Sequence, residues 1–224
     1  LNGKIIPGDR VFYPVKPHIA SSVPKIEKNN LDGKMISFNR NDEWEEPEFP
    51  KLLEESGAKL GGEQFEPELF INFTGDVPNF SKLTELSFDD WGQLIHQFIF
   101  YTAGNVQDAV NKIVPGGSDD PRKFKDVKGR IVIVGPALPS GKKISGHERA
   151  KVEVFRGALR PFVTTINQEF SDVLKSNVRV FLILPGTVDG KEPSHKNIID
   201  TVNYLMSDEA GSSSEVIFCP DETR

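Results

Sequence analysis

Arg130-Ile131-Val132-Ile133-Val134 is an unbroken apolar run, and it limits what the chain can fold into more than any other feature. A strand with one wet face alternates apolar and polar residues. A strand without alternation is covered on both faces, as in a parallel sheet flanked by helices. Val178 to Leu184, stopped by Pro185-Gly186, repeats the pattern. Between the two lies a helical segment. Ser145 with Glu148 three residues on forms a capping box, and Phe155, Leu159, Phe162, Ile166 and Phe170 make one stripe. Pro161 falls inside this helix and should kink it or remove one hydrogen bond. Strand, crossover helix and strand in this order predict a right-handed parallel unit.

The other elements extend the alternation. Residues 34–38 and the weaker 58–60 read as strands, with a short helix from Pro50 to Ser56 ended by Gly57. Leu69-Phe70-Ile71-Asn72-Phe73 is a further strand, bounded by Pro67 and Gly75. Ser87 caps a long helix that runs to about Val114, with Asp89 and Asp90 in its first turn. Trp91, Leu94, Phe98 and Ile113 are expected to cover the sheet from this helix. Phe100 and Tyr101 make its middle apolar on other sides, which calls for a second buried face. Ser194 caps a last helix through Met206, and residues 215–219 give a last strand. The fold class is therefore α/β, a Rossmann- or flavodoxin-like three-layer sandwich with a mostly parallel sheet. Residues 1–30, with Pro7, Pro14, Pro17 and Pro24, read as an extended N-terminal arm, and residues 31–224 as the domain.

Composition excludes several classes. A net charge of −6 over 224 residues argues against nonspecific nucleic-acid binding, which needs clustered Lys and Arg. One cysteine, Cys219, permits neither an internal disulfide nor a multi-thiolate metal site. No apolar run approaches the length of a membrane span. Leu1 to Ile6 lack a signal-peptide core, and a chain that opens on Leu is compatible with a removed leader. The expectation is a soluble chain of the cytoplasm or an organelle matrix. No acidic group is arranged for a metal: Asp89-Asp90 and Asp119-Asp120 are sequence neighbours, which do not converge. The run from Gly135 to Gly146, with Lys142-Lys143, lacks the order of a phosphate loop. His195 and Lys196 open the last helix and are expected to be solvated, and His96 is read as a core or interface residue.

Three stretches in order resemble the short-chain dehydrogenases/reductases. Ile71-Asn72-Phe73-Thr74-Gly75 resembles that family's Asn-Asn-Ala-Gly turn. Phe88-Asp89-Asp90-Trp91 and its helix resemble the segment leading to the family's Asn. Gly129 to Val134, the helix after it and Val178 to Pro185-Gly186 resemble the Gly-Arg-Ile-Val strand, the active-site helix and the Pro-Gly turn. Ser207-Asp208-Glu209-Ala210 resembles the family's tail. By this resemblance Asn72, Gly75, Pro185 and Gly186 are the candidates for contact with NAD or NADP.

The departures point the other way. The loop after the first strand, Asn39 to Pro47, has no glycine and carries four acids. A dinucleotide diphosphate normally meets a Gly-rich turn there. Carbonyl reduction of this type needs a Tyr with a Lys one turn on. With Lys151 as that Lys, His147 takes the Tyr position. With Gly157 as the following Gly, Lys151 takes the Tyr position and Phe155 the Lys position. The family's Ser falls at Pro136 and its Asn near Phe98. The arm, the shortened first half and the lost motifs are similar to the noncatalytic N-terminal domain of the high-molecular-weight 3-oxoacyl-acyl-carrier-protein reductases. The resulting expectation is a catalytically degenerate domain, without a cofactor, with a structural or protein-interaction role. It would meet a protein partner or its own copy through the two long helices, with Phe100 and Tyr101 at the interface. The alternative is an NAD(P)-dependent oxidoreductase with a replaced site built on His147 and Lys151.

Overall fold

A computed structural model describes residues 27–39, 48–61, 66–78, 80, 82–114, 124, 127–138, 146–186, 194–208, 210 and 216–219. The Pro-rich segment up to residue 26, the acidic residues 42–46 and the Ser145 cap lie outside the described residues. Six strands form one sheet: β1 (Met35–Asn39), β2 (Lys59–Leu60), β3 (Leu69–Phe73), β4 (Arg130–Val134), β5 (Arg179–Pro185) and β6 (Val216–Cys219). Their spatial order is β2-β1-β3-β4-β5-β6, and every neighbouring pair is parallel. The predicted alternation of strands and helices is therefore the observed one.

Helices α1 (Glu48–Glu55) and α5 (His195–Leu205) cover one face of the sheet. Phe49 and Leu53 of α1 and Ile198 and Val202 of α5 meet Ile71, Phe73, Val132, Val134, Phe181 and Ile183 there. The odd and even positions of β3, β4 and β5 divide cleanly. Phe70, Ile131, Ile133, Val180, Leu182 and Leu184 face the opposite layer, as a pleat with period two requires. Helices α3 (Tyr101–Ile113) and α4 (Gly146–Gln168) make that layer. Gly57, at φ 86°, ends α1 in a left-handed conformation suited to glycine. The end of the N-terminal segment is tied into α5: the Asn30 amide donates to Asn203 Oδ1 at 2.6 Å, and Asn203 Nδ2 donates to the Lys28 carbonyl.

The long helix departs from the expectation in an instructive way. It consists of α2 (Phe88–Ile95), a π turn (His96–Phe100) and α3. The Tyr101 amide donates to the His96 carbonyl five residues back. An α-helix turns about 100° per residue, so a turn that takes in one more residue shifts the stripe by about that angle. Without the shift, Tyr101 would lie on the buried stripe between Phe98 and Asn105. With it, Thr102, Asn105, Ala109 and Ile113 are buried and Tyr101 stands outside, 40% exposed, beside Phe100 at 63%. Trp91, Leu94 and Phe98 do not cover the sheet as predicted. They pack on Phe155 of α4 and on Val77, Phe80 and Leu86, while Val106, Val110 and Ile113 reach the sheet.

Helix α4 runs through Pro161 to Gln168 and ends in a second π turn (Glu169–Val173). Pro161 and Gly157 are both exposed, so the Gly157 carbonyl that loses its helical donor faces water.

Candidate functional site

In an open parallel sheet, ligands lie beyond the carboxyl ends of the strands, at the point where the strand order reverses. Here the chain leaves β1 for β2 on one side and returns to β3 on the other. Asn39 closes β1 and Phe73 closes β3. Thr74 is buried, with its amide on the Val134 carbonyl at 3.0 Å. Gly75 follows at φ 79°, a left-handed conformation that favours glycine.

Three asparagines join β1, β3 and α3 below this edge. Asn39 Nδ2 donates to Asn105 Oδ1 at 2.8 Å, and Asn105 Nδ2 donates to Asn72 Oδ1 at 2.6 Å. Asn72 is 1% exposed, and its Oδ1 is engaged by Asn105 of α3. Its Nδ2 is buried without a partner, as is the hydroxyl of Thr102 one turn before Asn105. Sequence reasoning found Asn72 but not Asn39, Asn105 or Thr102. The available signal was two polar residues, three apart, on an otherwise apolar stripe.

The ends of β4 and β5 are held by a residue the sequence reading passed over. Arg156 of α4 is 1% exposed. Its Nε donates to the Pro136 carbonyl at 2.9 Å, and its Nη2 donates to the Pro185 carbonyl. Glu153 lies 3.5 Å from Nη1 and also 3.6 Å from Arg160. One turn before Arg156 stands Val152, an apolar core residue. Arg156 sits among Val152, Phe155, Leu159 and Val163, so a cation on the buried stripe was the available signal. Gly135 precedes this pair of loops in close packing, where a Cβ would meet Leu184 Cδ2 at 3.0 Å.

The sequence-predicted pair behaves differently. Lys151 is buried, donates to the Phe80 carbonyl and lies 4.8 Å from the Phe80 ring centroid. His147 is exposed on the first turn of α4. Lys151 thus ties the β3–α2 connection to α4. Neither frame drawn from the sequence has the residue that reaches the strand ends, which is Arg156. Phe98 packs on Phe155 with ring centroids 4.6 Å apart, and Pro136 contributes its carbonyl, not a hydroxyl.

Elsewhere, His195 is not solvated as expected. Its ring packs edge-on against Phe49, with Nδ1 3.3 Å from Glu48 Oε2. Lys196 is exposed and pairs with Asp200. Exposed His96 lies beside Phe100, with ring centroids 6.2 Å apart. Hydrogen bonds from the Ser87 hydroxyl and amide hold the Asp90 carboxyl below its usual range. Burial, then the neighbouring Arg179, lowers Arg130, with Asp208 opposing. Among the described residues no group of three or more His, Cys, Asp or Glu could hold a metal, and no helix is long and apolar enough to cross a membrane.

No protein-family model and no curated protein sequence matches the chain. Solved structures do. An NADH-dependent reductase, A1-R′, complexed with NAD is 13% identical, covering 85% of this chain and 95% of that one at a TM-score of 0.61. A short chain dehydrogenase from Leptospira borgpetersenii serovar Hardjo-bovis with bound NAD+ is 11% identical, covering 89% and 97% at 0.62. A short chain dehydrogenase from Mycobacterium smegmatis is 13% identical, covering 91% and 98% at 0.52. The first two carry NAD on this same architecture, which overturns the expectation of a fold without a cofactor. That expectation rested on the glycine-free, acidic loop after β1, whose residues 40–47 lie outside the described residues, and on the shortened first half and lost motifs. The likeness in strand order, helix layers and extent shows that the chain has the fold of the short-chain dehydrogenases/reductases.

Proposed function

We propose that this chain is a short-chain dehydrogenase/reductase-like domain that no longer performs the family's carbonyl reduction and acts through protein contact. The observation that carries the reading is the pairing of Arg156 with the Pro136 and Pro185 carbonyls. A reductase needs a proton donor at the mouth of these strands. Here the α4 residue that reaches the strand ends is committed to backbone carbonyls, and Val152 one turn earlier has no proton to give. The contact surface is the outer side of the two long helices, where Ile95, Phe100, Tyr101 and Val154 are each at least 40% exposed. Exposed aromatic clusters of this kind favour an interface. A second copy or an intact 3-oxoacyl reductase fits such a surface, and a symmetric pair is the common solution for identical chains. Replacing Phe100 and Tyr101 together with Lys, and comparing mass in solution, tests this. A wild-type chain that is monomeric at high concentration and copurifies with no partner overturns it.

The NAD carried by two neighbours favours a second reading, an NAD(P)-dependent oxidoreductase with a replaced site. The dinucleotide would lie along the carboxyl edge, over the bare backbone of Gly75 and the Pro185-Gly186 turn, and would supply the hydride when bound. The fit at Gly75 is good, because a left-handed glycine leaves room for close approach. His147 or Lys151 would then have to act as the proton donor. Saturable NADH or NADPH binding with turnover on a 3-oxoacyl substrate, lost in His147→Ala or Lys151→Ala, would establish this reading in place of the first.

A further inference from the structure

The amino edge of the sheet, opposite the carboxyl edge, carries two arginines on neighbouring strands. Arg130 and Arg179 are direct register partners on β4 and β5. Neighbouring parallel strands lie about 4.8 Å apart. Alternation puts both side chains on the α5 face, with Val132 and Val134 after one and Phe181 and Ile183 after the other. Like charges directly opposite each other destabilise a sheet.

Among the described residues neither arginine has a carboxylate partner. Arg130 Nη1 donates to the Gly129 and Asn177 carbonyls at 3.2 Å each, which fixes the guanidinium in place. Its Nε is buried with no acceptor at all. Among the described residues the Arg179 side chain has no hydrogen bond or ion pair. Asp208, exposed after α5, acts on Arg130 electrostatically without bonding to it. A guanidinium fixed by two carbonyls and a second arginine on the neighbouring strand form the donor half of an oxyanion clamp.

We infer that Arg130 and Arg179 form an oxyanion-binding site at the amino edge of the sheet, taking a phosphate or carboxylate group between the two guanidiniums. Planar guanidinium forks match both anions and hold them by charge-assisted bonds. The site lies at the edge of the sheet opposite to any cofactor at the carboxyl ends.

The test uses the whole chain titrated with inorganic phosphate and, separately, acetate, against chloride at matched ionic strength. Melting temperature and the phosphorus resonance of the anion are followed. Saturable stabilisation by phosphate is expected, weakened about tenfold or more in Arg179→Gln. Asp208→Asn should tighten it, because the competing negative charge is gone. That arm is informative even where Arg179→Gln fails to fold. A response to acetate as strong as to phosphate assigns the site to carboxylates. No response beyond that of chloride, an equal response in Arg179→Gln, or no tightening in Asp208→Asn overturns the inference.

Discussion

Replacing Arg156 separates what its charge does from what its shape does. The guanidinium is 1% exposed and serves two backbone carbonyls from different loops. In Arg156→Met the Pro136 carbonyl loses its donor. The Pro185 carbonyl keeps the Leu138 amide at 3.4 Å. A buried acceptor left unpaired costs about 1–3 kcal/mol, and the second carbonyl is weakened as well. The buried charge disappears with the side chain, which offsets part of the loss. The net expectation is a destabilisation of about 2–4 kcal/mol, or a melting temperature about 5–15 °C lower for a chain of this length.

Arg156→Lys keeps the charge but not the fork. One ammonium cannot reach both carbonyls with fixed geometry, and it is more strongly hydrated than a guanidinium. It should therefore cost at least as much as Met. Urea denaturation with matched slopes, alongside thermal melting, gives both numbers. If Lys restores stability to within about 1 kcal/mol of the parent while Met does not, the pairing with Glu153 is what matters and the clamp argument fails. If Met is neutral, Arg156 holds nothing.

Other expectations follow from single sites. Val132 is fully buried between Ile71 and Phe181 on the neighbouring strands, so Val132→Asp places an unpaired charge in the centre of the sheet. The cost is comparable to a domain's whole stability, roughly 5–15 kcal/mol. A soluble variant with a cooperative melt would contradict the placement of β4. Thr102→Val removes a buried hydroxyl that has no partner and should raise the urea midpoint by the equivalent of about 1 kcal/mol. A drop would mean the hydroxyl is bonded to an enclosed water. The Asp90 carboxylate accepts from Ser87 Oγ at 2.7 Å and from the Ser87 amide at 3.0 Å, which lowers its folded pKa. Its contribution is complete above the free carboxylate value and disappears as pH falls through the lowered one. Acid should then speed exchange of the Ser87 amide in the parent, and Asp90→Asn should abolish that pH dependence; an unchanged profile in Asp90→Asn would refute it.

The strands were legible because burial on two faces leaves a direct trace in β4 and β5: the runs Ile131 to Val134 and Val180 to Leu184, apolar without alternation, fit strands covered on both faces. Gly57 and Ser87 were legible for a similar local reason, since each answers a backbone requirement within a few residues. The site was not. Which α4 residue reaches the strand ends depends on how the helix is rotated about its axis, which neither motif frame, anchored on Lys151 or on Gly157, determines. Arg156 drew no attention in the sequence, where an arginine is most often a surface residue. The π turn at His96–Phe100 was invisible for a further reason. Over a few residues, a stripe displaced by one extra residue reads as a wide stripe, so Tyr101 appeared as excess apolarity and not as a residue turned outward.

The strand order has a consequence for how the chain comes off the ribosome. After β3, each strand is laid beside the one made before it, so β4, β5 and β6 always find a finished partner waiting. Only β2 is added on the other side, and it is two residues long and paired with a strand already synthesised. Parallel sheets are generally slow to form, because distant segments must close long loops before any pairing rewards them. Every strand but β3 pairs with the one made immediately before it, and β3 reaches back past β2 to β1, so from β3 on the sheet can grow outward in the direction of synthesis. The cost of that scheme is an open edge that moves along the sheet as each strand is added, and it is the place where a stalled chain would aggregate.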